Sequence, residues 1–126
     1  MRTLSKILLL AGFMAIISTA CFAQQMGVFG PSGMPLTKQD LAAMAAASGP
    51  LLNDDTVPLD TIRSWSNEKS GNHGTIKLVK RFEHSYEGAQ LPCRKLLYRT
   101  EFKMNSQPYS IVLNRCKTAD GTWKIL

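Results

Sequence analysis

The sequence predicts an α+β domain: one N-terminal helix packed on a four- or five-stranded antiparallel meander sheet with one disulfide. Three observations predict it. An alanine-rich stretch near Leu41 gives way after Asp60 to runs in which apolar and polar residues alternate. Turn-forming residues punctuate those runs. Cys93 and Cys116 lie where two of the runs would pair, so a direct bridge between them fixes a register.

The chain divides into a signal peptide at residues 1–23, a flexible linker at 24–36 and a domain at 37–126. Arg2 and Lys6 precede the apolar run Ile-Leu-Leu-Leu-Ala-Gly-Phe-Met-Ala-Ile-Ile, and small residues follow it. A basic start, a short apolar run and small residues define a secretory leader. The run is shorter than the roughly 20 apolar residues an ordinary spanning helix needs. Two processing routes fit. Cleavage after Ala23 follows a small-x-small pattern and discards Cys21. Ser18-Thr19-Ala20-Cys21 resembles the lipoprotein box, in which cleavage before Cys21 leaves it acylated and tethers the chain to a membrane.

Either route leaves the same cysteine arithmetic. With Cys21 removed or acylated, Cys93 and Cys116 are the only pair, in a compartment where thiols oxidise. No Cys-x-x-Cys spacing is present, so a thiol-disulfide centre and a thiolate zinc site both lack their usual pattern.

The domain's elements follow in order. Residues 24–36 carry glycine, proline and methionine and read as linker. Thr37 offers an N-cap, with Asp40 three residues on as the second half of a capping box. Leu41, Met44 and Ala45 form an apolar stripe, and Ser48-Gly49-Pro50 is expected to stop the helix. Residues 61–66 are short and β-prone; residues 67–74 form a turn. Residues 75–86 alternate, with Ile76, Leu78, Phe82 and Tyr86 on one side and Lys77, Arg81 and Glu83 between them. Residues 87–90 turn the chain into 91–104, which pairs with 108–117. Asp120-Gly121 signals a last hairpin into 122–126.

Pairing Cys93 with Cys116 sets Leu96 opposite Leu113, Tyr98 opposite Ile111 and Thr100 opposite Tyr109. One face is then apolar and aromatic. The same register sets Arg94 opposite Arg115, two charges that repel unless they splay apart or share an anion. Trp65 and Trp123 are core residues, Trp123 beside the disulfide. The glycines at 71, 74 and 121 are expected at positive φ.

Charge is uneven along the chain. Residues 24–75 hold three basic and five acidic side chains; residues 76–126 hold ten basic and four acidic. Lys77, Lys80, Arg81, Arg94, Lys95, Arg99, Lys103, Arg115 and Lys117 crowd the strands. Such density suits anionic envelope material: lipid head groups, lipopolysaccharide phosphates or acidic glycans. Arg94, Lys95 and Arg115 are the candidate anion contacts. Nucleic acid would attract the same charges, but the leader sends the chain away from it.

Catalytic patterns are absent from the sequence. His73 and His84 lack a convergent metal spacing, Asp54-Asp55 reads as an acidic loop, and no nucleophile elbow or phosphate-cradling glycine loop occurs. The chain therefore reads as a non-enzyme without cofactors. The competing reading is a secreted small hydrolase or inhibitor-like domain with an unrecognised pocket.

The ordered residues Trp65-Ser66-Asn67, Ser70-Gly71-Asn72-His73-Gly74-Thr75, Cys93-Arg94, Cys116 and Asp120-Gly121-Thr122-Trp123 resemble the surface antigen domain of bacterial envelope proteins. This is the seventeen-kilodalton outer-membrane surface antigen group. The resemblance spans about residues 41–126. It departs at Glu68, where the group usually has proline, at Lys95-Leu96, and in lacking a glycine-zipper segment between leader and domain. It implies an exported protein of the periplasm, outer membrane or cell surface, antigenic and without catalytic activity. The partner it leaves open is an envelope component or another protein, met by a soluble, peripheral or lipid-anchored chain.

Overall fold

Thr37 starts the helix by the chemistry its side chain offers. Its hydroxyl accepts from the Asp40 N–H at 3.1 Å, and the Asp40 carboxylate accepts from the Thr37 N–H at 2.9 Å. That reciprocal capping box opens α1, Lys38–Asn53. This computed structural model describes residues 36–104 and 107–126. The leader, Cys21 and its two processing routes lie outside the described residues. Leu36, assigned above to the linker by composition, is buried in the core.

The helix does not stop at Ser48-Gly49-Pro50. It runs through them to Asn53, with Pro50 inside. An interior proline costs about 3 kcal/mol and a glycine about 1. Leu51 and Leu52 lie just beyond, both buried, and burying two leucines contributes roughly 3–6 kcal/mol. Packing outweighs the local stop signal. The buried face repeats at Leu41, Met44, Ser48, Leu51 and Leu52, with Asp40 at its start, whereas Ala45 points to solvent.

Five strands follow: β1 Ile62–Ser66, β2 His73–Tyr86, β3 Ala89–Glu101, β4 Tyr109–Lys117 and β5 Trp123–Ile125. They form one sheet in the order β1-β2-β3-β4-β5, every neighbour antiparallel. The α+β expectation holds in outline and in register. Leu96 faces Leu113, Tyr98 faces Ile111, Thr100 faces Tyr109, and Arg94 faces Arg115. Cys93 pairs directly with Cys116, their Cα atoms 4.1 Å apart, and the disulfide is formed. A closed loop of this size contributes about 3 kcal/mol by restricting the unfolded chain.

The turns are tighter than composition suggested. Only Glu87 and Gly88 join β2 to β3, both at positive φ (48° and 78°). That is the twist a two-residue hairpin requires. The tip of the β3–β4 connection, Asn105-Ser106, lies outside the described residues.

One irregularity decides which side chains share a face. Leu78 pairs with Leu96, but Lys80 pairs with Lys95, so Val79 is an extra residue in β2. Such a bulge inverts the alternation beyond it. Ile76 and Leu78 face α1 with Trp65, Leu96, Tyr98 and Leu113. Phe82 instead turns to the opposite face, where it packs with Leu91 and the disulfide. Trp123 packs on the helix side rather than beside the bridge, because it pairs with Lys117, one residue out of phase with Cys116. Its indole N–H donates to Asn53 Oδ1 at 2.9 Å.

Candidate functional site

The turn between β1 and β2 carries the densest polar contacts in the domain, and they converge on Asp40. That carboxylate is fully buried. Besides the Thr37 N–H, it accepts from Ser70 Oγ at 2.6 Å, Asn67 Nδ2 at 2.8 Å and Asn72 Nδ2 at 2.9 Å. Asn72 in turn accepts at Oδ1 from the Lys103 N–H at 3.1 Å. Burial alone would raise the Asp40 pKa. Hydrogen bonds from Ser70, Thr37, Asn72 and Asn67 to the ionised form outweigh it and hold the carboxyl below its usual value. Three residues of the Asn67–Asn72 turn motif thus clamp the start of α1 to one end of the sheet.

Gly74, the next residue of that motif, has a steric purpose. It sits in β2 between Trp65 of β1 and Thr100 of β3. A Cβ there would lie 2.0 Å from the Arg99 carbonyl oxygen and 2.9 Å from Trp65 Nε1. Gly71 and Gly121 do take positive φ, at 74° and 82°; Gly74 is required by close approach instead.

On the helix side the arginines form a row. Arg81 faces Arg94, and Arg94 faces Arg115. Each cation is engaged within the fold. Arg81 donates to the Asp54 and Val57 carbonyls just past α1. Arg94 donates to Asp55 Oδ1 at 2.6 Å and lies over the Trp123 ring, 5.5 Å from its centroid. Arg115 donates to the Tyr98 hydroxyl at 3.2 Å. Burial raises the pKa of that phenol, with the Arg115 charge opposing. The anion that relieves the Arg94–Arg115 repulsion is internal: Asp55, on the loop after α1.

Lys95, the third candidate contact, is elsewhere. It lies on the face away from α1, opposite Lys80 and Asn114. The register gathers Lys77, Lys80, Lys95, Arg99 and Lys124 on that face. No described element covers it, and Glu101 is its one acidic strand residue among those described. Sequence reasoning saw one basic sheet; the structure sorts it into an internal arginine row and an open lysine face. The sign of the split was the adjacent pair Lys80-Arg81, two cations that cannot both face the same way in a strand.

At the β1–β2 end of the open face lies a shallow pocket of about 660 Å³, with Ser64, Ser66, His73, Thr75, Arg99 and Glu101 among its lining. Ser66, His73 and Glu101 fall in one cross-strand row. His73 Nε2 is 2.7 Å from Glu101 Oε2, and Nδ1 is 3.5 Å from the Gly71 carbonyl oxygen. The ring's contacts are thus to a carboxylate and a backbone carbonyl, with the donor and acceptor roles of its nitrogens set by the tautomer.

No protein-family model, curated protein or solved structure matches this chain. Among the described residues no helix is long and apolar enough to cross a membrane.

Proposed function

We propose that this protein is a non-enzymatic module of the bacterial cell envelope, of the surface-antigen type, that binds anionic envelope components through the open face of its sheet. One observation carries the reading: among the described residues, five cations stand against one carboxylate on a sheet face that no described element covers. Fields from clustered charges raise the local concentration of anionic partners. The Cys93–Cys116 bridge supports export, since such bonds persist in oxidising compartments. In that setting the chain is soluble after cleavage at Ala23 or tethered through Cys21.

The geometry favours binding over catalysis. Arg94 and Arg115 hold the loop after α1 and the β5 hairpin, and His73 is committed to Glu101. The contact residues are accordingly Lys77, Lys80, Lys95, Arg99 and Lys124. The test uses protein carrying Cys21→Ser, which removes any acyl anchor, and lipopolysaccharide as the probe. Binding is expected to weaken as salt rises, because exposed charges are screened beyond about 10 Å at 0.1 M. K77Q/K80Q/K95Q/R99Q should weaken it by at least about tenfold. Affinity that is indifferent to both salt and substitution would overturn the proposal.

A further inference from the structure

The open face is not uniformly polar, and its pattern narrows the class of anion. Ile62, Lys77, Leu97 and Val112 are successive partners in one row across β1 to β4. Ile62 is 57% exposed and Val112 51%, although both are aliphatic residues in regular strands. With strands about 4.8 Å apart, the row is roughly 14 Å wide. Two residues along β3 in one direction stands Arg99; two in the other stands Lys95, with Lys80 beside it. Each step is about 7 Å. Cations flank the aliphatic row on both sides, and Lys77 interrupts it.

We infer that this face lies on an anionic phospholipid leaflet. The inference rests on the anion-binding reading above and names its ligand. A soluble polyanion would pair with the lysines and leave Ile62, Leu97 and Val112 in water. A leaflet takes both kinds of side chain at once. The aliphatics enter the boundary between head groups and acyl chains, while the lysine stems lie along it and their ammonium groups reach the phosphates. A second copy of the chain fits poorly, since stacking the two faces would set five cations against five. Among the described residues the sheet's other face is packed against α1, which leaves the open face for the leaflet.

The experiment measures partition of the Cys21→Ser protein onto vesicles of phosphatidylglycerol and phosphatidylcholine in equal parts, onto pure phosphatidylcholine vesicles, and binding to soluble polyphosphate. The decisive variant is I62T/V112T. Threonine keeps the β-branched shape the strands favour, and both positions are exposed, so the core is untouched. The expected result is binding to the anionic vesicles but not to pure phosphatidylcholine. I62T/V112T should lower vesicle partition by about tenfold and leave polyphosphate binding unchanged. K77Q/K80Q/K95Q/R99Q should abolish both. Vesicle binding that I62T/V112T does not alter would overturn the leaflet assignment and leave the anion-binding reading standing. Failure to bind vesicles, polyphosphate and lipopolysaccharide alike would remove both. Binding to lipopolysaccharide with none to phosphatidylglycerol vesicles would likewise overturn the phospholipid as occupant.

Discussion

Asp40→Ala is expected to destabilise the domain by about 3–5 kcal/mol, read as a shift in the urea midpoint. The carboxylate is fully buried and accepts from Thr37, Asn67, Ser70 and Asn72. Removing it orphans donors on the helix terminus and on the β1–β2 turn together. An orphaned buried donor costs about 1–3 kcal/mol, so the loss exceeds that of an ordinary N-cap. Thr37→Ala, which deletes only the cap hydroxyl, should cost about 1 kcal/mol. If the two variants cost the same, Asp40 is only a cap and the clamp does not exist.

The same carboxylate sets a pH dependence. Its pKa is lowered in the folded state relative to the unfolded chain. Its stabilisation is therefore complete above the unfolded value, near pH 4, and is lost as pH falls through the lower folded value. Asp40→Ala should flatten the stability profile in that acidic window while leaving the remaining carboxylates' contribution in place.

Gly74→Ala should be at least as damaging, costing about 3 kcal/mol or more, because overpacking here is relieved by no side-chain rotation. The atom that a Cβ would meet at 2.0 Å is the Arg99 carbonyl oxygen, part of the β3 backbone. β2 must then move off β3 or Trp65 must leave its place in the core. Gly49→Ala is the matched control: that glycine lies in α1, and beyond its chain neighbours and its own helix nothing comes within 4 Å of an added Cβ. There alanine gains about 1 kcal/mol of helix propensity, opposed by its contact with the Pro50 ring, so the net change should be small beside that at Gly74. Comparable losses from the two substitutions would mean that Gly74 is not sterically constrained.

Much of this fold could be read from residue order, for physical reasons. The cysteine pair fixed the β3–β4 register because a direct bridge permits only one sum of partner positions. Thr37 and Asp40 declared the helix start because capping is local chemistry. The helix end was illegible because Ser48-Gly49-Pro50 is a local stop signal and the opposing term, burial of Leu51 and Leu52, is tertiary. The bulge at Val79 left no trace in residue order, so Phe82 was assigned to the side of Ile76 and Leu78; Trp123 was assigned to the side of the bridge because its pairing with Lys117 rather than Cys116 is set by the last turn.

The candidate site was legible in charge and not in placement. Arg94 and Arg115 were expected to face each other and do. That Asp55 would neutralise Arg94, and that Lys95 would stand on the opposite face, depends on loop docking and strand parity together. The resemblance to surface antigens rests on Trp65-Ser66-Asn67 and the turn from Ser70 to Thr75, together with Cys93-Arg94, Cys116 and Asp120-Gly121-Thr122-Trp123. Trp65, Asn67, Ser70, Asn72 and Gly74 have structural purposes here: they build the clamp around Asp40 and let the β1–β3 strands close under Trp65.

Acetylation rates of individual lysines, measured by mass spectrometry with and without anionic vesicles, test most directly which side of the molecule meets its partner. The geometry puts Lys77, Lys80, Lys95 and Lys124 on the open face and Lys38 in the first turn of α1 on the other side of the sheet. The expected outcome is slowing of the first four with Lys38 unchanged. Protection of Lys38 with free reaction at Lys77, Lys80 and Lys95 would contradict it.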